Sequence, residues 1–205
     1  LDILGSPLNS DDFKNYKAAF VDPLELKIKD AKLFNLPPPT QGLASILILG
    51  LVDELSISCK NDVELIHNIV EITKAVFKIR DKHISDPRYM SFHVSEFLTK
   101  DFIKNLAKEI NFEKATPWPA SSPGGDTVWL GATDTYGNTI SFIQSIYWEF
   151  GSGLVLPNTG ITMQNRGVSF SLDLKNHNHL LPGRKPFHTI QPALAFFDDG
   201  RVMSY

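Results

Sequence analysis

Apolar and polar positions change rhythm about two thirds of the way along the chain. In the first part the spacing is mostly helical. Val63, Ile66, Ile69, Val70, Thr73, Val76 and Phe77 recur three and four apart, Asn61 stands where a cap is needed, and the helix is predicted to end near Ile84. Gln41 to Leu55 is predominantly apolar and predicts a buried helix. Ser10 is expected to cap a helix over Asp11 to Phe20, with two acids in its first turn, and another helix is predicted over Asp101 to Ile110. One segment alternates instead. Leu24, Leu26 and Ile28 fall on one side and Glu25, Lys27 and Lys29 on the other, so Leu24 to Phe34 reads as a strand. Pro37, Pro38 and Pro39 then impose an extended break.

Ala115 to Gly125 is rich in Pro, Ser and Gly and reads as a linker or exposed loop. After it the rhythm is that of strands. Thr127 to Thr133 and Thr139 to Tyr147 flank the turn residues Asp134 to Asn138, a hairpin signal. Further strands are predicted at Gly160 to Gln164, Thr189 to Phe197 and Arg201 to Tyr205, with Asp198, Asp199 and Gly200 as a tight turn rather than a pair of catalytic acids. Charge follows the same division. Residues 1–126 carry 15 Lys+Arg and 18 Asp+Glu, residues 127–205 only 5 and 5, which fits helices followed by sheet.

The 205 residues are 42% hydrophobic and 21% charged, an ordinary globular balance that excludes disorder, collagen and coiled coil. A net charge of -3 gives no basic footprint for nucleic acid, and no apolar run reaches membrane-spanning length. The single cysteine, Cys59, excludes an internal disulfide and a cysteine-based zinc cluster. The chain reads as a fragment of a longer protein, since it opens at Leu1 and stops inside an expected strand.

Chemistry enters at the loop-to-strand junction, Asp126-Thr127. An ordinary strand start is one reading. If the bond between the two were cut, Thr127 would carry both a hydroxyl nucleophile and an α-amine titrating at about 7.7–8.0, a base for its own hydroxyl. His177-Asn178-His179 with His188 invites a metal reading, but no acid or further histidine stands at useful spacing, so no metal and no cofactor is expected.

Several segments in order resemble the γ-glutamyltranspeptidase family of N-terminal-nucleophile hydrolases, end to end. They are Asn35 to Gly42, Glu71 to Met90, Asp126-Thr127 at the position of the self-cleavage junction, Gly151 to Gly153 and Arg184 to Thr189. Asp126 to Gly131, Ser141 to Ser145, Glu149 to Gly153, Gln164 to Gly167 and Pro186 to Thr189 are similar to the branch that includes oxamate amidohydrolase. The resemblance implies an α+β, four-layer αββα sandwich. Residues 1–126 would supply the mostly helical end of the large subunit, and residues 127–205 the mostly β start of the small one. The two cleaved subunits would associate with each other. The family's oxyanion-hole Gly-Gly pair and the arginine that grips the substrate carboxylate would fall outside the chain.

The same resemblance assigns roles by position. Thr127 stands at the nucleophile, and Ser145 where a hydroxyl hydrogen-bonds it. Tyr147 stands in place of an asparagine that helps bind the glutamyl head, or it simply packs. Arg166 replaces a glutamine, Ser169 the aspartate that binds the substrate's α-amino group, and His188 and Thr189 two serines near the substrate carboxylate. Without an acid at 169 an α-ammonium has no counter-charge, whereas Arg166 offers a planar fork to a carboxylate if it does not serve an interdomain ion pair. The expected substrate is therefore a small anionic amide such as oxamate. Resemblance to the oxamate branch and the single cysteine imply a cytoplasmic protein, with export, as for transpeptidases, left open. Two alternatives stay open: a γ-glutamyl or glutaryl substrate on the same fold, and a processing-dead homologue acting as a binding module.

Overall fold

The computed structural model describes residues 5–57, 59–119 and 127–205. Asp126 and the Gly124-Gly125 pair lie outside the described residues. Chain order is α1 (Ser10–Asn15), β1 (Leu24–Lys27), β2 (Ala31–Asn35), α2 (Gly42–Glu54), α3 (Asp62–His83), α4 (Lys100–Glu109), β3 (Val128–Thr133), β4 (Thr139–Gln144), β5 (Ala193–Phe197) and β6 (Val202–Ser204). Short 3₁₀ turns fall at Pro87–Tyr89, Val94–Leu98 and Arg166–Ser169.

Four strands form one antiparallel sheet in the order β1-β2-β5-β6. Leu26 pairs with Leu33, which pairs with Ala195 across the next strand, so a buried row crosses three strands. This sheet draws two strands from each side of the Asp126–Thr127 junction. The α2 helix packs on it. Leu43, Ile46, Leu47 and Leu51 of α2 are buried together with Ile72 and Val76 of α3 and Ile103 and Leu106 of α4. Apolar all round, α2 is covered by the sheet on one side and by the other two helices elsewhere, as such a helix requires. Gly50 lets the helix lie close on β1: a Cβ there would stand 2.7 Å from Leu26 Cδ2.

Several sequence expectations need correction. Asn9, not Ser10, caps α1, accepting from the amides of Asp11 and Asp12, and the helix ends at Asn15 rather than Phe20. Leu24 to Phe34 is a hairpin of two strands, turned where Ile28 N donates to Ala31 O at 2.9 Å. The α3 helix has the expected span, and Asn61 Oδ1 caps it at Glu64 N, 3.0 Å. Its buried residues are nevertheless Glu71, Ile72 and Val76, while Val63, Ile66, Ile69 and Val70 are exposed. The second part is less regular than expected. Between Gln144 and Ala193 the only extended pairings among the described residues are isolated bridges, including Val155 with Thr162.

β3 and β4 pair in register from Val128–Gln144 to Thr133–Thr139. Asp134 closes the turn by accepting from the amides of Tyr136 and Asn138 at 2.9 Å each. Ser141 Oγ joins this hairpin to the larger sheet, accepting from Ala193 N at 3.1 Å and from Trp129 Nε1 at 2.9 Å. Among the described residues no helix is long and apolar enough to cross a membrane.

Candidate active site

The hairpin's open end presents Thr127, the residue just before β3, opposite the residues that follow β4. Thr127 Oγ1 donates to Ser145 Oγ at 3.0 Å. Ser145 Oγ also accepts from Tyr147 N at 3.0 Å. The strand register explains the pairing: Val128 faces Gln144, so the next residues outward on the two strands meet. Thr127 and Ser145 line a cavity of about 380 Å³ with Val128, Gln144, Ile146 and Glu149. Glu149 was not among the expected site residues; only its place in Glu149 to Gly153 hinted at it.

β4 stops at Gln144, three residues before the expected Tyr147, and Tyr147 itself has φ 81, a left-handed conformation that a bulky side chain rarely adopts. The turn sets the phenol ring against Arg166, whose Cζ lies 3.9 Å from the ring centre. Such strain is kept where the surroundings over-determine it, as at binding sites. Nearby contacts do so here: Trp148 N donates to Asn165 Oδ1 at 3.2 Å and Asn165 N to Ile146 O at 3.2 Å. Gln164 Oε1 accepts from Arg166 N. Gln164 and Asn165 thus shape the turn, a role with no local sequence signal.

Arg166 is 4% exposed, and its Nη2 donates to Thr189 Oγ1 at 3.2 Å. Among the described residues its buried Nε has no partner, and no carboxylate lies within ion-pairing distance. The interdomain ion pair considered for it is not formed among them. Burial weakens its hold on the proton, the Tyr147 phenol opposing this, but a guanidinium stays charged. Burial and then the neighbouring Arg166 charge push the His188 imidazole down to about 4, so it is neutral at pH 7. His188 N donates to Pro39 O at 2.8 Å, which fixes this segment to the loop before α2, and His188 Nδ1 accepts from Ile190 N at 3.2 Å.

Ser169 stands apart. Its hydroxyl donates to Phe187 O at 3.2 Å, and it lines a separate cavity of about 330 Å³ with Arg80, Ser171, Asn178 and Phe187. The structure therefore joins Thr127, Ser145, Tyr147, Arg166, Thr189 and His188 through successive contacts and leaves Ser169 outside that series. The histidines at 177 and 179 serve other ends: His177 O and His179 O both accept from the buried Arg184.

The family model for gamma-glutamyltranspeptidase matches residues 1–205. The chain belongs to the gamma-glutamyltranspeptidase family. Within that family it is 48% identical over 202 residues to an oxamate amidohydrolase proenzyme of Klebsiella pneumoniae, covering 98% of this chain and 38% of that protein. It is 35% identical over 192 residues to a glutathione hydrolase-like proenzyme of Bacillus subtilis, covering 93% of this chain and 36% of that one. A cephalosporin acylase structure from Bacillus halodurans superposes with a TM-score of 0.86 at 35% identity, over 99% of this chain and 37% of the acylase. The chain thus spans less than two fifths of the length of each of these relatives. The expected α+β fold of N-terminal-nucleophile hydrolases is borne out by this superposition and by the helices and antiparallel sheets described above.

Proposed function

We propose that the full-length protein is a self-processing threonine amidohydrolase acting on a small anionic amide such as oxamate. The observation that carries this reading is the Thr127 hydroxyl, held 3.0 Å from Ser145 Oγ at the mouth of an open cavity. Similarity to the Klebsiella oxamate amidohydrolase proenzyme supports the substrate and the processing.

In maturation Thr127 Oγ attacks the carbonyl carbon of Asp126. The C–N bond breaks, the nitrogen takes up the hydroxyl proton and leaves as an amine, and an ester links Asp126 to the threonine oxygen. Water hydrolyses the ester, leaving a carboxylate on Asp126 and a free amine and hydroxyl on Thr127. The protein then consists of two associated chains meeting at residues 126 and 127. In turnover the amine takes the hydroxyl proton and Oγ attacks the amide carbon of the substrate. The amide nitrogen leaves as ammonia, taking that proton, and water releases oxalate from the acyl-enzyme. Ser145 orients the nucleophile. Arg166, flat against Tyr147 and lacking an acid partner among the described residues, receives the substrate carboxylate with Thr189 beside it. Neutral His188 adds no competing charge.

A second reading follows from the likeness to the cephalosporin acylase structure: Arg166 would then hold the far carboxylate of a glutaryl group. Ammonia release by the full-length protein separates the two. A kcat/KM for oxamate well above that for glutaryl and γ-glutamyl amides supports the first reading. The reverse order overturns it in favour of the second.

A further inference from the structure

The chain ahead of the cleavage junction is bound to α3 at three successive levels. His67 Nε2 lies 2.9 Å from Phe112 O. Further along the helix Glu71 Oε2 accepts from Thr116 N at 3.1 Å, and Lys74 Nζ donates to Thr116 O at 2.7 Å. Lys74 also donates to Glu71 Oε1 at 2.7 Å. Last, the Phe77 and Trp118 rings meet with centroids 6.5 Å apart. From residue 67 to 77 a helix rises about 15 Å, and six extended residues from 112 to 118 reach about 20 Å. The segment therefore runs beside α3, in the same direction and with little slack.

The middle level is the unusual one. An ion pair on one helix face holds both the N–H and the C=O of a single residue in another segment. Glu71 is 3% exposed, and removing a carboxylate from water costs free energy that only good partners offset. Burial alone would raise its pKa; the bonds from Lys74 and Thr116 override burial and bring it down to about 2, so the Glu71 carboxyl is ionised at any working pH. A buried pair of this kind adds little net stability over an apolar one, and fixing position is its attested use. What it fixes here is the path of the chain toward Thr127.

We propose that Glu71 and Lys74 are positioning residues for self-cleavage: by clamping Thr116 they hold the lead-in chain on α3 and shorten the connection to the nucleophile. This rests on the self-processing reading above. With the clamp in place, nine positions separate Trp118 from Thr127; with Thr116 and the Trp118 just beyond it released, fifteen separate the next anchor back, Phe112, from Thr127. Shortening a connection by that ratio lowers its closure cost enough to change a rate about twofold. The clamp acts before cleavage and touches no atom of the turnover site.

The test follows cleavage of freshly synthesised full-length precursor by intact mass over time. It compares wild type with Lys74→Met and Thr116→Pro. The first removes both lysine contacts. The second removes the N–H given to Glu71 without altering α3, and proline follows at 117 in any case. Each variant is expected to cut about twofold more slowly, while ammonia release per cleaved molecule stays at the wild-type value. Cleavage at the wild-type rate in both variants overturns the proposal alone. So does a turnover number that falls in step with the cleavage rate, which would mark a general support role. A wild-type chain that never cuts overturns the self-processing reading, and this proposal with it.

Discussion

The Arg166 guanidinium stacks on the Tyr147 ring, 3.9 Å from its centre, and the two residues are held together by opposite constraints. Tyr147 takes a left-handed backbone conformation to place its ring. Arg166 gives up water and finds no acid among the described residues, only Thr189 Oγ1 at 3.2 Å. A buried cation without a counter-ion is an incomplete arrangement that an anionic ligand completes.

Replacing Arg166 by Lys keeps the charge but removes the planar fork and the stack. The expected outcome is a rise of about 10–100-fold in KM for oxamate, the range for losing hydrogen bonds to a charged group. Cleavage of the precursor should be little affected. Steady-state ammonia release with the mass-determined cleaved fraction checks both halves.

Ser145→Ala removes the acceptor of the Thr127 hydroxyl and leaves Tyr147 N without its bond. A loss of about tenfold in kcat/KM is expected from one such hydrogen bond and one stranded donor. Ser145→Thr restores the hydroxyl and should recover most of the activity. An alanine variant as active as wild type would show that this hydroxyl does not orient the nucleophile.

His188 makes stability depend on pH in a defined window. Its folded pKa, about 4, lies below the ordinary 6.5 because of burial and then Arg166. As pH falls below 6.5 the unfolded chain binds the proton first, so stability is complete above 6.5 and is lost progressively toward 4. Glu71 and Asp86 act lower. Burial opposes their ionisation, but hydrogen bonds from Lys74 and Thr116, and from Arg88 and Lys185, bring both to about 2. Their contribution is present above ordinary carboxylate values and is lost as pH falls through 2. In urea unfolding of the full-length protein, His188→Gln should flatten the decline between pH 6.5 and 4 and leave the decline below 4 unchanged.

Much of the fold was legible because helix caps and hydrophobic spacing are local. Asn61, the apolar run from Leu43 to Leu51 and the Asp134 turn each carry their signal within a few residues. The buried side of α3 was legible only in part. Its spacing picks out Val76, which is buried, and Phe77, which packs on the core, but also Val63 and Ile66, which are exposed; Glu71 is buried by a lysine three residues on and a peptide group 45 residues away. Residues up to Tyr147 and from Gly160 to Gln164 suit strands by composition, but β4 ends at Gln144 and Tyr147 takes a left-handed φ of 81 that local preference does not favour. At the site, Thr127 and Ser145 could be anticipated from family resemblance, and the hairpin register brings them together. Ser169, expected near the substrate, instead turns its hydroxyl to Phe187 O, since the 3₁₀ turn at Arg166–Ser169 aims Arg166 and Ser169 at different neighbours. No local pattern encodes that divergence.

Whether Thr127 becomes an N-terminal nucleophile is read from the intact mass of the purified full-length protein. Two chains are expected, the smaller beginning at Thr127, with a single uncut chain in Thr127→Ala. A wild-type protein that remains one chain, with the Asp126–Thr127 bond intact, rules out that role for Thr127.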